Sequence, residues 1–163
     1  MGECQGLQNQ FVYEGYVDVK NTWIRKYGLK DEPKKGSKRK IPIPSKTQSY
    51  LNEIISMSPY TDPEDLVFWG LDARRPLGSK IILNTLYKAF VNIKITEEDR
   101  RQRNITFHSW RHFYNSFLRG KVPDVKLQRL TGHRTQEMTD LYTSFRVEDF
   151  KDVLKIQEEF FHD

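Results

Sequence analysis

Short runs of β-branched and aromatic residues crowd the front of this chain, and helical apolar stripes take over behind them. Phe11-Val12-Tyr13, then Tyr16-Val17-Asp18-Val19 with Trp23-Ile24-Arg25, then Arg39-Lys40-Ile41-Pro42-Ile43 predict short antiparallel strands. Glu14-Gly15 supplies the first turn, and the polar stretch from Gly28 to Ser37 predicts a loop joining the last two strands. Ser45 followed by Gln48 is a capping-box pattern, and Leu51, Ile54 and Ile55 lie on one helical side behind it, so a helix is predicted over 46–57. Asp62-Pro63 and Arg75-Pro76-Leu77-Gly78 punctuate a looped middle, after which Ser79 is placed to cap a helix carrying Ile82, Leu86 and Phe90 on one side. The charged run from Thr96 to Asn104 predicts a surface loop.

Four helices are predicted beyond it, over 106–119, 123–131, 135–143 and 147–160, with Pro123 suited to a first turn and Thr135 to a cap. In the first of these the 100° advance per residue gathers His108, Arg111, His112 and Asn115 on one face and Trp110, Phe113, Tyr114 and Phe117 on the other. The aromatic side then serves as the docking face and the cationic side is left for a site. In the last, Val147, Phe150, Val153, Leu154, Ile156, Phe160 and Phe161 form an apolar stripe that needs a surface to cover it, in its own domain or on a neighbouring copy. The pattern as a whole predicts an α+β fold, mostly helical, with a small three-stranded antiparallel sheet near the N-terminus.

Length and charge narrow the picture. The 163 residues are enough for one domain with a proper core. Lys and Arg number 27 against 22 Asp and Glu, a formal net charge of +5 that favours a polyanionic partner. The distribution is more telling: Lys30, Lys34, Lys35, Lys38, Arg39, Lys40 and Lys46 crowd one segment, while Glu148, Asp149, Asp152, Glu158, Glu159 and Asp163 make the tail acidic. Cys4 is the single cysteine, which rules out an intrachain disulfide, and the four histidines have no zinc-type spacing. With no apolar run of membrane-spanning length and no charged-then-apolar leader, the sequence reads as that of a cytoplasmic protein with no membrane partner.

Candidate chemistry sits in the second half. His108-Ser109-Trp110-Arg111-His112 is followed by Leu130-Thr131-Gly132-His133 and then by Tyr142. Each block alone has an ordinary reading: a solvated helix face, a satisfied structural histidine, a core tyrosine. In this order and at these separations, however, the three blocks closely resemble the signature of the tyrosine recombinases, the phage-integrase family of DNA strand exchangers. Pro33-Lys34-Lys35-Gly36-Ser37-Lys38-Arg39-Lys40-Ile41-Pro42-Ile43-Pro44 is similar to that family's lysine-bearing β-hairpin, with Lys34 the better match to the catalytic lysine and Lys35 next to it.

The resemblance implies a set of roles. Tyr142 attacks the scissile phosphate to give a 3′-phosphotyrosyl link and a free 5′-hydroxyl, and Lys34 protonates the departing oxygen. Arg111 and His133 stabilise the charge that gathers on the non-bridging oxygens of the pentavalent transition state, with His108 sharing that role or assisting proton transfer. Lys35, Lys38, Arg39, Lys40 and His112 are the expected DNA-binding positions. Because the covalent link retains the phosphodiester's energy, no metal, ATP or other cofactor is expected. The partner implied is double-stranded DNA at attachment sites, held by a homo-oligomer, a tetramer in this family. Met1-Gly2-Glu3-Cys4-Gln5-Gly6-Leu7 resembles the residues that follow the family's first catalytic arginine. Residues 1–163 are therefore expected to be a single catalytic domain without that arginine or the N-terminal DNA-clamping domain, and a poor catalyst by itself. A non-catalytic DNA-binding or protomer-pairing remnant and a type IB topoisomerase-like activity are the alternatives.

Overall fold

The computed structural model describes residues 1–33, 37–132 and 147–162. Its architecture is α+β and mostly helical, with the small antiparallel sheet near the front. That sheet runs β1 (Val12–Tyr13), β2 (Tyr16–Val19), β5 (Arg39–Pro42), with Val12 opposite Val17 and Val17 opposite Ile41. Gly15, at φ +77°, makes the turn between β1 and β2.

Trp23 and Ile24 leave the main sheet. They form β3 (Thr22–Ile24), which pairs with β4 (Gly28–Lys30) where a loop was expected. The reason lies in the turn: Tyr27 N–H donates to the Ile24 carbonyl at 2.9 Å, and Gly28 closes the hairpin at φ +77°, a left-handed angle that favours glycine. The expected looped middle likewise contains a short irregular hairpin of β6 (Trp69–Asp72) and β7 (Arg75–Pro76).

The helices are α1 (Gly2–Gln5), α2 (Ser45–Ser56), α3 (Ser79–Asn92), α4 (Glu97–Gln102), α5 (Ser109–Leu118), α6 (Asp124–Thr131) and α7 (Lys151–His162), the last preceded by a 3₁₀ turn at Val147–Phe150. Several caps differ from those expected. Ser45 is not in a capping box with Gln48: its N–H and hydroxyl both donate to the Glu158 carboxylate, at 2.6 and 2.9 Å, while Gln48 accepts from the Gly15 N–H. Ser79 is also inside its helix, behind an N-cap at Gly78, and its hydroxyl accepts from Gln5. Pro123 is the N-cap of α6, one residue before the first turn. The charged run from Thr96 to Asn104 contains helix α4, because Thr96 and Asp99 close a reciprocal capping box and Glu97 pairs with both Arg100 and Arg101. The helix expected over 135–143 lies outside the described residues. Among the described residues no helix is long and apolar enough to cross a membrane.

Two apolar clusters hold the described residues together. Ile43, Leu51 and Val67 form one, with Leu7, Val12, Val17, Ile54, Ile55 and Phe68 packed around them. Leu118, Val122, Leu127, Leu130, Phe150 and Val153 form the other, edged by Ile41, Tyr114, Phe117 and Ile156. The second takes up the front of the tail stripe: Phe150 and Val153 are enclosed in it, Lys126–Asp152 at 2.9 Å pins the start of α7 to α6, and Phe160 and Phe161 at its far end stay 46% and 40% exposed. Phe150→Ala is accordingly expected to cost about 3–5 kcal/mol, read as a lower urea midpoint. A chain ending at Val147 should lose its cooperative thermal transition; retention of that transition would show that α7 is dispensable to the core.

Candidate active site

Helix α5 carries the first of the sequence-predicted site residues, and its faces divide differently from the expectation. The buried side is built by Leu118 with the half-buried Tyr114 and Phe117, whereas Trp110 and Phe113 are 53% and 48% exposed. Arg111 lies 7 positions before Leu118, two turns along the same face, so its side chain runs inward along the protein surface instead of opposite to the docking side. There its guanidinium Nη2 donates to the Thr131 carbonyl at the end of α6. Trp110 and Phe113 stand edge to face, and Phe113 and Phe117 meet Phe160 of α7 at ring separations of 5.9 and 5.0 Å. His108 and His112, one turn apart and both exposed, contact edge to face at 5.5 Å.

The end of α6 is held by a second arginine. Arg39 is 6% exposed and donates from Nε to the Leu130 carbonyl at 2.9 Å, from Nη1 to the Ser37 carbonyl at 3.0 Å, and from Nη1 and Nη2 to the two carboxylate oxygens of Glu3 at 3.0 and 2.8 Å. The next residue but one after Leu130 is Gly132, left-handed at φ +68°, where a Cβ would stand 3.1 Å from Arg39 Nη1. Glycine is required there on both counts, for the backbone angle and for the space. Burial pushes the Glu3 carboxyl up, but the hydrogen bonds and charge of Arg39, with Arg111 adding through space, hold it below the ordinary carboxylate range.

This placement corrects the expectation that Arg39 meets DNA. The run Lys38-Arg39-Lys40 is evenly basic in sequence, but side chains alternate along a strand, so Lys38 and Lys40 point outward and Arg39 inward. Lys40 Nζ lies 5.2 Å from the centre of the Tyr16 ring, and both lysines are exposed at the surface.

A cleft of about 710 Å³ brings several of these groups together, among them Arg39, Phe107, His108, Arg111 and Thr131. Tyr114 also lines it, with its hydroxyl accepting from Gln157 Nε2 at 2.8 Å. Burial pushes that phenol up to about 12, only partly offset by the Gln157 hydrogen bond, so it stays protonated at neutral pH and is a poor nucleophile. Arg111 and His112 are thus on α5 with His108 at its N-cap, and Lys40 is exposed on β5 with Lys38 exposed just before it. Lys34, Lys35, His133 and Tyr142 lie outside the described residues. Glu3 was not singled out in the sequence; its single clue was its place in the Met1-Gly2-Glu3 run.

The cleft is lined mostly by apolar and aromatic side chains, among them Ile41, Phe113, Phe117 and Phe160, with Arg111 and His108 bringing polar groups to it. The chain belongs to the phage integrase family, the tyrosine recombinases, whose family pattern it matches over residues 13–148. Its fold is similar to that of the Tn1549 transposon integrase solved in complex with a circular intermediate DNA, with a TM-score of 0.63 at 16% identity over 95% of this chain. The chain spans about half, 53%, of the length of that integrase chain. No curated protein sequence matches it.

Proposed function

We propose that this chain is the catalytic domain of a site-specific DNA recombinase that cleaves and rejoins strands through a 3′-phosphotyrosyl intermediate. The observation that carries the reading is the position of Arg111, anchored by one nitrogen to the Thr131 carbonyl while lining an open cleft beside His108. A guanidinium fixed by a neutral acceptor keeps its full charge and its remaining N–H groups for a phosphate. That suits a transition state in which charge accumulates on non-bridging oxygens, because a preorganised donor stabilises the accumulated charge more than the ground state.

In this reading Tyr142 is the nucleophile, Arg111 and His133 are the electrophilic groups, His108 shares their role or moves a proton, and Lys34 is the general acid, with Lys35 its neighbour. The bond from Tyr142 oxygen to phosphorus forms as the bond from phosphorus to the 5′-oxygen breaks. Lys34 supplies the proton to the leaving oxygen, and religation reverses each step. Exposed Lys38, Lys40 and His112 suit contacts to the phosphate backbone, which fix register without reading sequence. Double-stranded DNA at paired attachment sites is the partner, held by a tetramer of this domain in its full-length setting.

The test is covalent trapping. Duplexes carrying the junctions that flank the gene, nicked so that the cleaved end diffuses away, should yield a protein–DNA species on a denaturing gel. Binding without such a species would mark a non-catalytic module, and relaxation of supercoils without exchange between paired sites would mark topoisomerase-like chemistry.

A further inference from the structure

Two guanidinium groups and one carboxylate meet at the end of α6, and their arrangement is unequal. Arg39 and Arg111 donate to successive carbonyls, Leu130 and Thr131, both at a helix C-terminus where cations are favoured. Both oxygens of Glu3 are taken by Arg39 through the two-pronged contact at 3.0 and 2.8 Å. Arg39 is closed off from solvent, with a side-chain exposure of 5%, whereas Glu3 retains 33%. The pair therefore amounts to a neutral unit beside Arg111. Arg111, bonded to a carbonyl, has no counter-charge among these contacts.

We propose that Arg39 is a positioning residue that acts through Glu3, engaging the carboxylate so that it does not pair with Arg111 and leaving Arg111 its charge for an incoming phosphate. The inference rests on the reading of Arg111 as the phosphate-binding group. It gives Arg39 a role quite different from contact with DNA, and gives Glu3 one that no catalytic step requires. Without the Arg39 guanidinium, Glu3 becomes a half-buried carboxylate with no partner, and such a group takes the nearest cation. Arg111 is within reach of its field, since it already helps to hold the Glu3 carboxyl down.

The geometry also explains why an arginine occupies position 39. One planar fork serves Glu3 while Nε, on the opposite edge, reaches Leu130, so the front helix, strand β5 and the end of α6 are tied by a single side chain. A lysine has the charge but neither the fork nor the third contact.

The experiment titrates inorganic phosphate into the chain and follows the Arg111 Nε–Hε signal by NMR, assigned through Arg111→Lys, with thermal unfolding measured alongside. In the unsubstituted chain the signal should shift with phosphate. Arg39→Ala should weaken that affinity about tenfold, the scale of a charge-assisted hydrogen bond, and adding Glu3→Gln should bring it back to within about threefold. Restoration by removing a charge is not what a purely architectural arginine would give, because the double variant is no better packed than the single. Loss in Arg39→Ala that Glu3→Gln leaves unchanged, or no loss at all, overturns the proposal. Should Arg39→Ala show no thermal transition, Arg39→Lys decides: affinity near that of the unsubstituted chain despite a lower melting temperature supports it, and a tenfold loss overturns it. If phosphate fails to move the Arg111 signal in the unsubstituted chain, the phosphate-binding reading itself falls and the inference with it.

Discussion

Tyr142→Phe is expected to abolish the covalent protein–DNA species while leaving the melting temperature unchanged, since the substitution removes one hydroxyl and nothing else. The comparison that gives this force is Tyr114→Phe. Tyr114 lines the cleft, but its hydroxyl accepts from Gln157 and its phenol is pushed up to about 12 by burial, so its loss should cost about 1 kcal/mol of stability and leave the adduct intact. Both variants are to be run on the same nicked duplexes, preferably in a protein extended upstream. An adduct that persists in Tyr142→Phe and disappears in Tyr114→Phe would reverse the assignment.

Arg111→Ala should lower the cleavage rate by about 10²- to 10³-fold, the usual effect of removing one preorganised donor to a developing oxyanion. DNA affinity should fall only modestly, because many phosphates share the binding energy and one side chain meets one of them. The separation of rate from affinity is the diagnostic result. Stability should drop by about 1 kcal/mol for the lost hydrogen bond to the Thr131 carbonyl. Equal losses in rate, affinity and melting temperature would instead mark Arg111 as an architectural residue.

The family was legible in the sequence because the types and order of these residues are themselves the signal; Arg111 and His112 lie on α5, with His108 at its N-cap. Their surroundings were less so. Periodicity placed α5 but assigned its buried side to all four aromatics, whereas Arg111 follows the stripe of Leu118 while Trp110 and Phe113 stay exposed, with Phe113 against Phe160. That outcome depends on Thr131, 20 positions from Arg111, and on Phe160 still further along, which no local window contains. Capping by Glu158 at Ser45 escaped for the same reason. The helix at Glu97–Gln102 is a different case, since its capping box was visible as Thr96 and Asp99 and was masked by the density of charge around it. Arg39 shows the limit of reading charge by composition: strand alternation separates it from two neighbours of the same sign.

The carboxylate that caps α2 has a further meaning for how the chain acquires its structure. Ser45 is bonded to Glu158, 113 positions later, and Phe150 and Val153 fill the middle of a cluster otherwise supplied by α5 and α6. Contacts of such sequence separation close late, because the entropy of a long loop must be lost before the contact repays it. During synthesis the segments that carry Arg39 and Arg111 are therefore exposed, with the core beneath them unfilled, until residues 150–158 have been made.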